Sequence, residues 1–423
     1  MKIKRPNAFL YFITYILIYP LMKLMFRLKT NRRDYIPPDG AFVVIANHLS
    51  FMDFLIVMLS FYPRRLNAVA AQKFYLYRPL HKLLPLMGCI PKNLFDPDVR
   101  SIIGIKNVLK NNGSILLFPE GRCETDGEYA GIHKSTGKLI KKLGVPVVSG
   151  YIDGAYKCMP FWRGGLRCGN IRITLANLFS KSQLESMTVD EINSAIDRRL
   201  GGEDHTPPKK PHRTFRAKQL AEGLQNILYL CPACESEFMT ETSGNTIRCK
   251  SCGIAAVMDR DAVLTPLTPM QDSVIPGSVQ EWFRKQIIYE SMKLNEDMDP
   301  VEEKVTLRLP SDKPGGGMIP SGEGTIRLDP SGWCYTGEIS GENKDIMFPI
   351  DTVPAIPFDP DDNFQIYAGG IFYMFTPADA RKCVKYAVMG ECMYWKFASQ
   401  VQMTPRKDNA FSMENDTDRS EQN

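Results

Sequence analysis

Three short apolar runs, each giving way at once to polar residues, constrain this chain most. They are Phe42-Val43-Val44-Ile45-Ala46 before Asn47-His48, Ser114-Ile115-Leu116-Leu117-Phe118 before Pro119-Glu120-Gly121-Arg122, and Val145 to Ile152 before Asp153-Gly154. Continuous apolar runs of this length read as strands buried on both faces of a sheet, with helices packed on each side. Two such helices are legible between them. Residues 100–111 and 134–143 carry helical apolar spacing, the second stopping at Gly144 ahead of Pro146. Residues 34–200 are therefore expected to form one α/β domain, a mainly parallel sheet flanked by helices. Its polar residues gather at strand ends, where open α/β sheets place ligand sites.

The first strand end carries the most suggestive chemistry. His48 and Asp53 are five residues apart, which on one regular helix sets them about 140° apart at roughly 100° per residue, so they cannot share a helical face. They meet if the strand ends at Ala46, His48 lies in the turn, and Ser50 caps a helix with Asp53 in its first turn. A neutral imidazole can take the proton of an attacking alcohol at neutral pH, and a carboxylate behind it fixes the tautomer and steadies the imidazolium. Other chemistries fit less well. Gly131 to Lys138 resembles a phosphate-binding loop only loosely, because Leu139 stands where a magnesium-binding Ser or Thr is required. Cys123 could be imagined as an acyl-accepting thiol, but no histidine is near it in sequence, so a structural cysteine is expected.

Taken together, these segments resemble the glycerolipid acyltransferase family, of the 1-acyl-sn-glycerol-3-phosphate acyltransferase type. Asn47-His48-x4-Asp53 matches that family's first block, Gly88-Cys89-Ile90-Pro91-Lys92 its second, Phe118-Pro119-Glu120-Gly121-Arg122 its third and Val145-Pro146-Val147-Val148 its fourth, in the same order over roughly residues 40–180. The resemblance implies a fatty acyl group moved from a thioester, acyl-CoA or acyl-carrier protein, to the hydroxyl of lysophosphatidate, giving phosphatidate. It implies His48 as base and Asp53 as its partner, and Asn47, Lys92, Glu120, Gly121 and Arg122 as substrate-binding residues. Lys92 and Arg122 are the cations for the acceptor's phosphate. Glu120 has two open roles, orienting Arg122 or contacting an acceptor hydroxyl. The family usually has arginine at the position of Lys92 and a threonine between Gly121 and Arg122. Those departures keep glycerol 3-phosphate or another lysophospholipid open as acceptor, and a non-catalytic, membrane-tethered zinc-ribbon adaptor is the reading from another class.

Residues 1–33 read as a membrane-associating helix, apolar from Ala8 to Met22 and followed by Lys23, Arg27, Lys29, Arg32 and Arg33. Its apolar core is short for a ~20-residue span. An interfacial anchor on the cytoplasmic face is expected, with a tilted single span as the alternative. Among 423 residues the net charge is only +5, part of it in Lys209 to Lys218, within a stretch (201–229) that reads as linker and helix. Eleven cysteines in an unprocessed chain suggest a reducing compartment. Four of them, Cys231, Cys234, Cys249 and Cys252, form two CxxC knuckles with 14 residues between them, just under the usual spacing of a structural zinc ribbon, which is expected over 230–265. No basic stripe with interleaved aromatics accompanies them, so nucleic acid is not an expected partner. An amphipathic helix (276–296), a β-rich accessory domain (300–400) that loosely resembles pleckstrin-homology-like barrels, with 310–324 as a loop, and a disordered tail (404–423) complete the expectation.

Overall fold

The computed structural model describes residues 3–94, 98–163, 165–203, 217–268, 274–295 and 298–397. The first part of the chain builds a seven-stranded sheet from β1 (Lys29–Asp34), β2 (Val43–Ala46), β3 (Leu66–Ala71), β4 (Ile90–Lys92), β5 (Ser114–Leu117), β6 (Val147–Asp153) and β7 (Arg172–Phe179). Their order is β1-β7-β6-β2-β5-β3-β4, and every neighbouring pair is parallel except β6 with β7. The expected mainly parallel sheet is therefore present. β2 is buried at all four positions, and its alternate residues feed two cores, Val44 and Ala46 on one face, Val43 and Ile45 on the other. That is why its sequence is apolar without alternation.

Helices cover both faces: α1 (Ala8–Phe26), α2 (Asp53–Ser60), α3 (Leu80–Leu86), α4 (Val99–Lys110), α5 (Ser135–Leu143), α6 (Ala155–Cys158), α7 (Lys181–Ser186) and α8 (Val189–Leu200). α5 ends on Gly144 in the left-handed region (φ 60°), as its sequence requires. α1 lies on the domain, with Tyr11, Met22 and Phe26 in the same core as β2 and α2. Its opposite stripe, including Phe9, Leu17 and Leu24, is exposed. The basic residues after α1 have a different setting from the one expected. Lys29, Arg32 and Arg33 belong to β1, which pairs with β7, so the sheet begins before residue 34 and the helical segment ends at Phe26.

A 3-10 turn at Leu224–Asn226 is the helical element among the described residues 217–229, within the stretch 201–229 expected as linker and helix; the basic stretch 204–216 lies outside the described residues. Four small antiparallel strands follow, β8 (Thr240–Ser243), β9 (Thr246–Cys249), β10 (Ala255–Met258) and β11 (Leu264–Pro266). α9 (Val279–Lys293), capped by Ser278, packs against them with Val279, Trp282, Phe283, Gln286 and Glu290 buried. Gln286 accepts from the Leu230 N–H and donates to the Ile227 carbonyl, while the Trp282 indole donates to the Leu230 carbonyl. The amphipathic helix is thus an internal brace, its buried Gln286, Trp282 and Glu290 each hydrogen-bonded to the segment Ile227–Leu230.

The last unit is an antiparallel sheet of β12 (Val301–Pro310), β13 (Met318–Asp329), β14 (Gly332–Ile339), β15 (Glu342–Pro349), β16 (Phe358–Asp359), β17 (Asn363–Ala368) and β18 (Ile371–Pro377), ordered β15-β14-β13-β12-β18-β17-β16, with α10 (Cys383–Phe397) packed on it. The loop expected at 310–324 is shorter than that. β13 already begins at Met318, and Gly315 to Gly317 form the turn from β12. That turn docks on the first domain, where the Gly317 N–H donates to the Leu76 carbonyl at 2.8 Å. The tail 404–423 lies outside the described residues.

Candidate active site

The polar strand ends converge. Asn47 and His48 follow β2, Glu120 and Arg122 follow β5, and Lys92 ends β4, all at the carboxyl edge of the parallel strands. Asn47 fixes this edge. Its side-chain amide donates to the Ile152 carbonyl at 2.8 Å and accepts from the Ile152 N–H at 2.7 Å, and the residue is 1% exposed. With both polar ends engaged on β6, Asn47 clamps two strands instead of facing a substrate.

His48 lies in the turn after Ala46, as expected. Its Nδ1 is 3.2 Å from Asp53 Oδ2, and Asp53 is fully buried. The carboxylate also accepts from the N–H groups of Leu49 (2.6 Å) and Ser50 (2.7 Å) and from the Ser50 hydroxyl (2.6 Å). Ser50 therefore does not cap α2, which starts at Asp53 without a side-chain cap. The acid is the acceptor throughout, and the short turn between β2 and α2 wraps around it. Phe118 stacks on the imidazole, ring centroids 4.3 Å apart.

Cys123 is the neighbour that sequence separation hid. Its Sγ is 3.3 Å from Nε2 and 3.4 Å from Nδ1 of His48. A sulfur on the in-plane lone pair of one ring nitrogen would be far from the other, so the near-equal distances place Sγ over the ring and leave the Nε2 lone pair free. Burial disfavours the imidazolium, but the Cys123 sulfur and the hydrogen-bonded Asp53 carboxylate outweigh it and raise His48 well above the ordinary histidine range. Burial also pushes the Cys123 thiol up, while the neighbouring His48 pulls it down.

Glu120 is buried, and its Oε1 accepts the His48 backbone N–H at 2.6 Å while Oε2 has no hydrogen-bond partner among the described residues. Burial, reinforced by nearby Glu124, raises its carboxyl well above the carboxylate range. Of the two roles open for Glu120, orienting Arg122 is not the observed one. Arg122 is held by Glu124, its Nε 3.6 Å from Oε1, and by a forked pair with Glu391 of α10, in which Nη2 to Oε2 is 3.0 Å. It is neither a solvated surface arginine nor an open fork. Gly121 closes the turn with its N–H on the Phe118 carbonyl, at φ 81°, a conformation only glycine adopts freely. Lys92 Nζ donates to the Asn93 carbonyl at 3.3 Å. Lys73, which sequence reading passed over, donates to Gln365 of β17 at 3.0 Å. No local motif announces it, and its place emerges only when the 3-10 turn Gln72–Leu76 meets β17.

Cys231, Cys234, Cys249 and Cys252 come together as their spacing predicts, with all four sulfurs within 4.8 Å of one another. Sulfurs at about 2.3 Å from a tetrahedral ion would be about 3.8 Å apart. The Cys231–Cys252 and Cys234–Cys249 separations are 3.6 Å and 3.8 Å, so the cluster fits such an ion.

Comparison with known proteins matches the same segment. A 1-acyl-sn-glycerol-3-phosphate acyltransferase of Arabidopsis thaliana, chloroplastic LPAT1, is 28% identical over 161 residues, 37% of this chain and 44% of that protein. A 1-acyl-sn-glycerol-3-phosphate acyltransferase of Chlamydomonas reinhardtii is 26% identical over 169 residues, 39% of this chain and 50% of that protein. The chain thus spans about half the length of these curated relatives. The crystal structure of the 1-acyl-sn-glycerophosphate acyltransferase PlsC from Thermotoga maritima aligns with a TM-score of 0.40 at 20% identity, covering 47% of this chain and 81% of that one. Residues 27–153, which contain every strand-end residue described above, match the model of the Acyltransferase family.

Proposed function

We propose that this protein is a membrane-associated O-acyltransferase that moves a fatty acyl group from a thioester to the hydroxyl of lysophosphatidate, giving phosphatidate. The observation that carries the reading is the His48–Asp53 pair at the end of β2, inside the family match. Ionised Asp53 can only accept, so Nδ1 bears the proton and the Nε2 lone pair is left to take the acceptor's hydroxyl proton. The alkoxide attacks the thioester carbonyl, and the donor's thiolate leaves with the proton returned by His48. Asp53 steadies the imidazolium between those steps. The names of the relatives support lysophosphatidate as the acceptor. Lys92 and Arg122 are the cations assigned to its phosphate, and either coenzyme A or acyl-carrier protein serves as the thioester's carrier.

The exposed apolar stripe of α1 supports membrane association. Because the other stripe is packed into the domain core along the helix, we place α1 flat in the interface, on the cytoplasmic face, instead of across the bilayer. The four-cysteine cluster is assigned to zinc. Four thiolate ligands fill its tetrahedron, so the ion would brace the ribbon and α9 and take no part in transfer.

The test is transfer by purified protein in detergent from an acyl thioester to lysophosphatidate, with products weighed by mass spectrometry. Phosphatidate formed by the wild type and lost in His48→Ala supports the reading, and acyl transfer that survives the substitution refutes it.

A further inference from the structure

A guanidinium has two edges that can fork an oxyanion, one formed by Nη1 and Nη2 and one by Nε and Nη2. In Arg122 both are engaged, the first by Glu391 and the second at its Nε by Glu124. Glu391 comes from the C-terminal unit, 269 residues away. It is not a loose surface acid that happens to reach across. Its neighbours Met389, Gly390, Cys392 and Met393 are buried in α10, a Cβ on Gly390 would meet Trp333, and Glu391 Oε1 also accepts the Ile356 N–H at 3.0 Å. The Lys73–Gln365 and Leu76–Gly317 hydrogen bonds hold the same unit against the same edge of the first domain.

We propose that Glu391 is a resident competitor for the acceptor's phosphate on Arg122, and so sets how strongly the enzyme prefers a phosphorylated acceptor over an unphosphorylated one. This rests on the reading that Arg122 holds that phosphate. A phosphomonoester approaches two negative charges and offers three acceptor oxygens against one charge and two oxygens on the carboxylate, so it can displace Glu391. The displacement raises the KM of any acceptor that needs the fork. An acceptor without a phosphate, such as a monoacylglycerol, meets no such penalty. Glu391 is a specificity-determining residue in this account, since it touches the binding group and not the reacting atoms.

Glu391→Gln keeps the shape and an oxygen for the Ile356 N–H while removing the charge. The expected result is a KM for lysophosphatidate lower by about tenfold, equivalent to about 1.4 kcal/mol. The change falls in KM rather than kcat, the KM for monoacylglycerol stays put, and Glu391→Asp stays nearer the wild type. A purely structural role would instead lower kcat for both acceptors. A second readout needs no turnover. Inorganic phosphate should protect Glu391→Gln against thermal unfolding more than it protects the wild type, and the gain should vanish when Arg122→Ala is added. If no acceptor is acylated by either protein, the functional reading fails and the phosphate measurement alone decides this one. Equal or weaker phosphate protection in Glu391→Gln, or an unchanged or higher KM for lysophosphatidate, overturns the proposal.

Discussion

Asn47 and Ile152 exchange two hydrogen bonds between a side chain and a backbone, tying the end of β2 to the end of β6 one residue before His48. The position of the base is thus set by its neighbour's structural bond. Asn47→Ala leaves the Ile152 N–H and carbonyl buried without those partners, which costs about 1–3 kcal/mol for each group left unsatisfied. Stability to urea should fall by about 2–6 kcal/mol for the two groups together. Turnover should fall with it while KM for the acceptor changes little, because His48 loses its placement and the phosphate-binding cations do not. A variant of native stability and activity would show that the clamp is dispensable.

The pH profile follows from the surroundings of His48. Its raised pKa means that the neutral ring, the form that can accept a proton, accumulates only above the ordinary histidine value of about 6.5. The acid limb of kcat/KM should therefore lie above that pH. Asp53→Asn removes a hydrogen bond and a charge that favour the imidazolium, so the limb should move to lower pH while the plateau rate falls. A limb that does not move in Asp53→Asn would mean that the titrating group is not His48.

Membrane binding should reside in the outer stripe of α1. Leu17 and Leu24 are 62% and 80% exposed, so Leu17→Glu with Leu24→Glu should leave the circular dichroism spectrum unchanged. Withdrawing two leucines from lipid costs about 3 kcal/mol or more, which is roughly a hundredfold loss in partitioning to anionic vesicles. Undiminished partitioning would move the anchor elsewhere in the chain.

The cysteine cluster makes a stoichiometric prediction. One zinc per chain should be found in protein never exposed to chelator. Because thiolate ligands must be deprotonated, a strong chelator or acid should release it and raise hydrogen exchange first in β8 to β10 and then in α9, which is braced on Tyr229 and Leu230. Metal-free protein with unchanged protection there would remove zinc from the account.

Residues near in sequence were legible in the sequence, and residues joined across it were not. β2, β5 and β6 announce themselves because strands buried on both faces must be apolar throughout. The meeting of His48 and Asp53 follows from a strand, a tight turn and a helix start. β1 was invisible for the opposite reason. Its Lys-Thr-Asn-Arg-Arg-Asp sequence sits at an exposed sheet edge, where charge discourages further pairing and imitates a membrane flank. Asn47 looked like a ligand residue because its partner, Ile152, is 105 positions away. Cys123 looked structural because the histidine beside it is 75 positions distant. Arg122 looked open because one of the two acids on it, Glu391, comes from another unit.

The most direct test is the fate of an isotopically labelled acyl chain. Purified protein in detergent is given a labelled acyl thioester and lysophosphatidate, and the lipid products are resolved by mass. The account predicts labelled phosphatidate from the wild type and a rate lower by about 10²- to 10⁴-fold in a folded His48→Ala variant, the usual cost of losing a general base. Labelled phosphatidate formed by His48→Ala at more than about a tenth of the wild-type rate would contradict it.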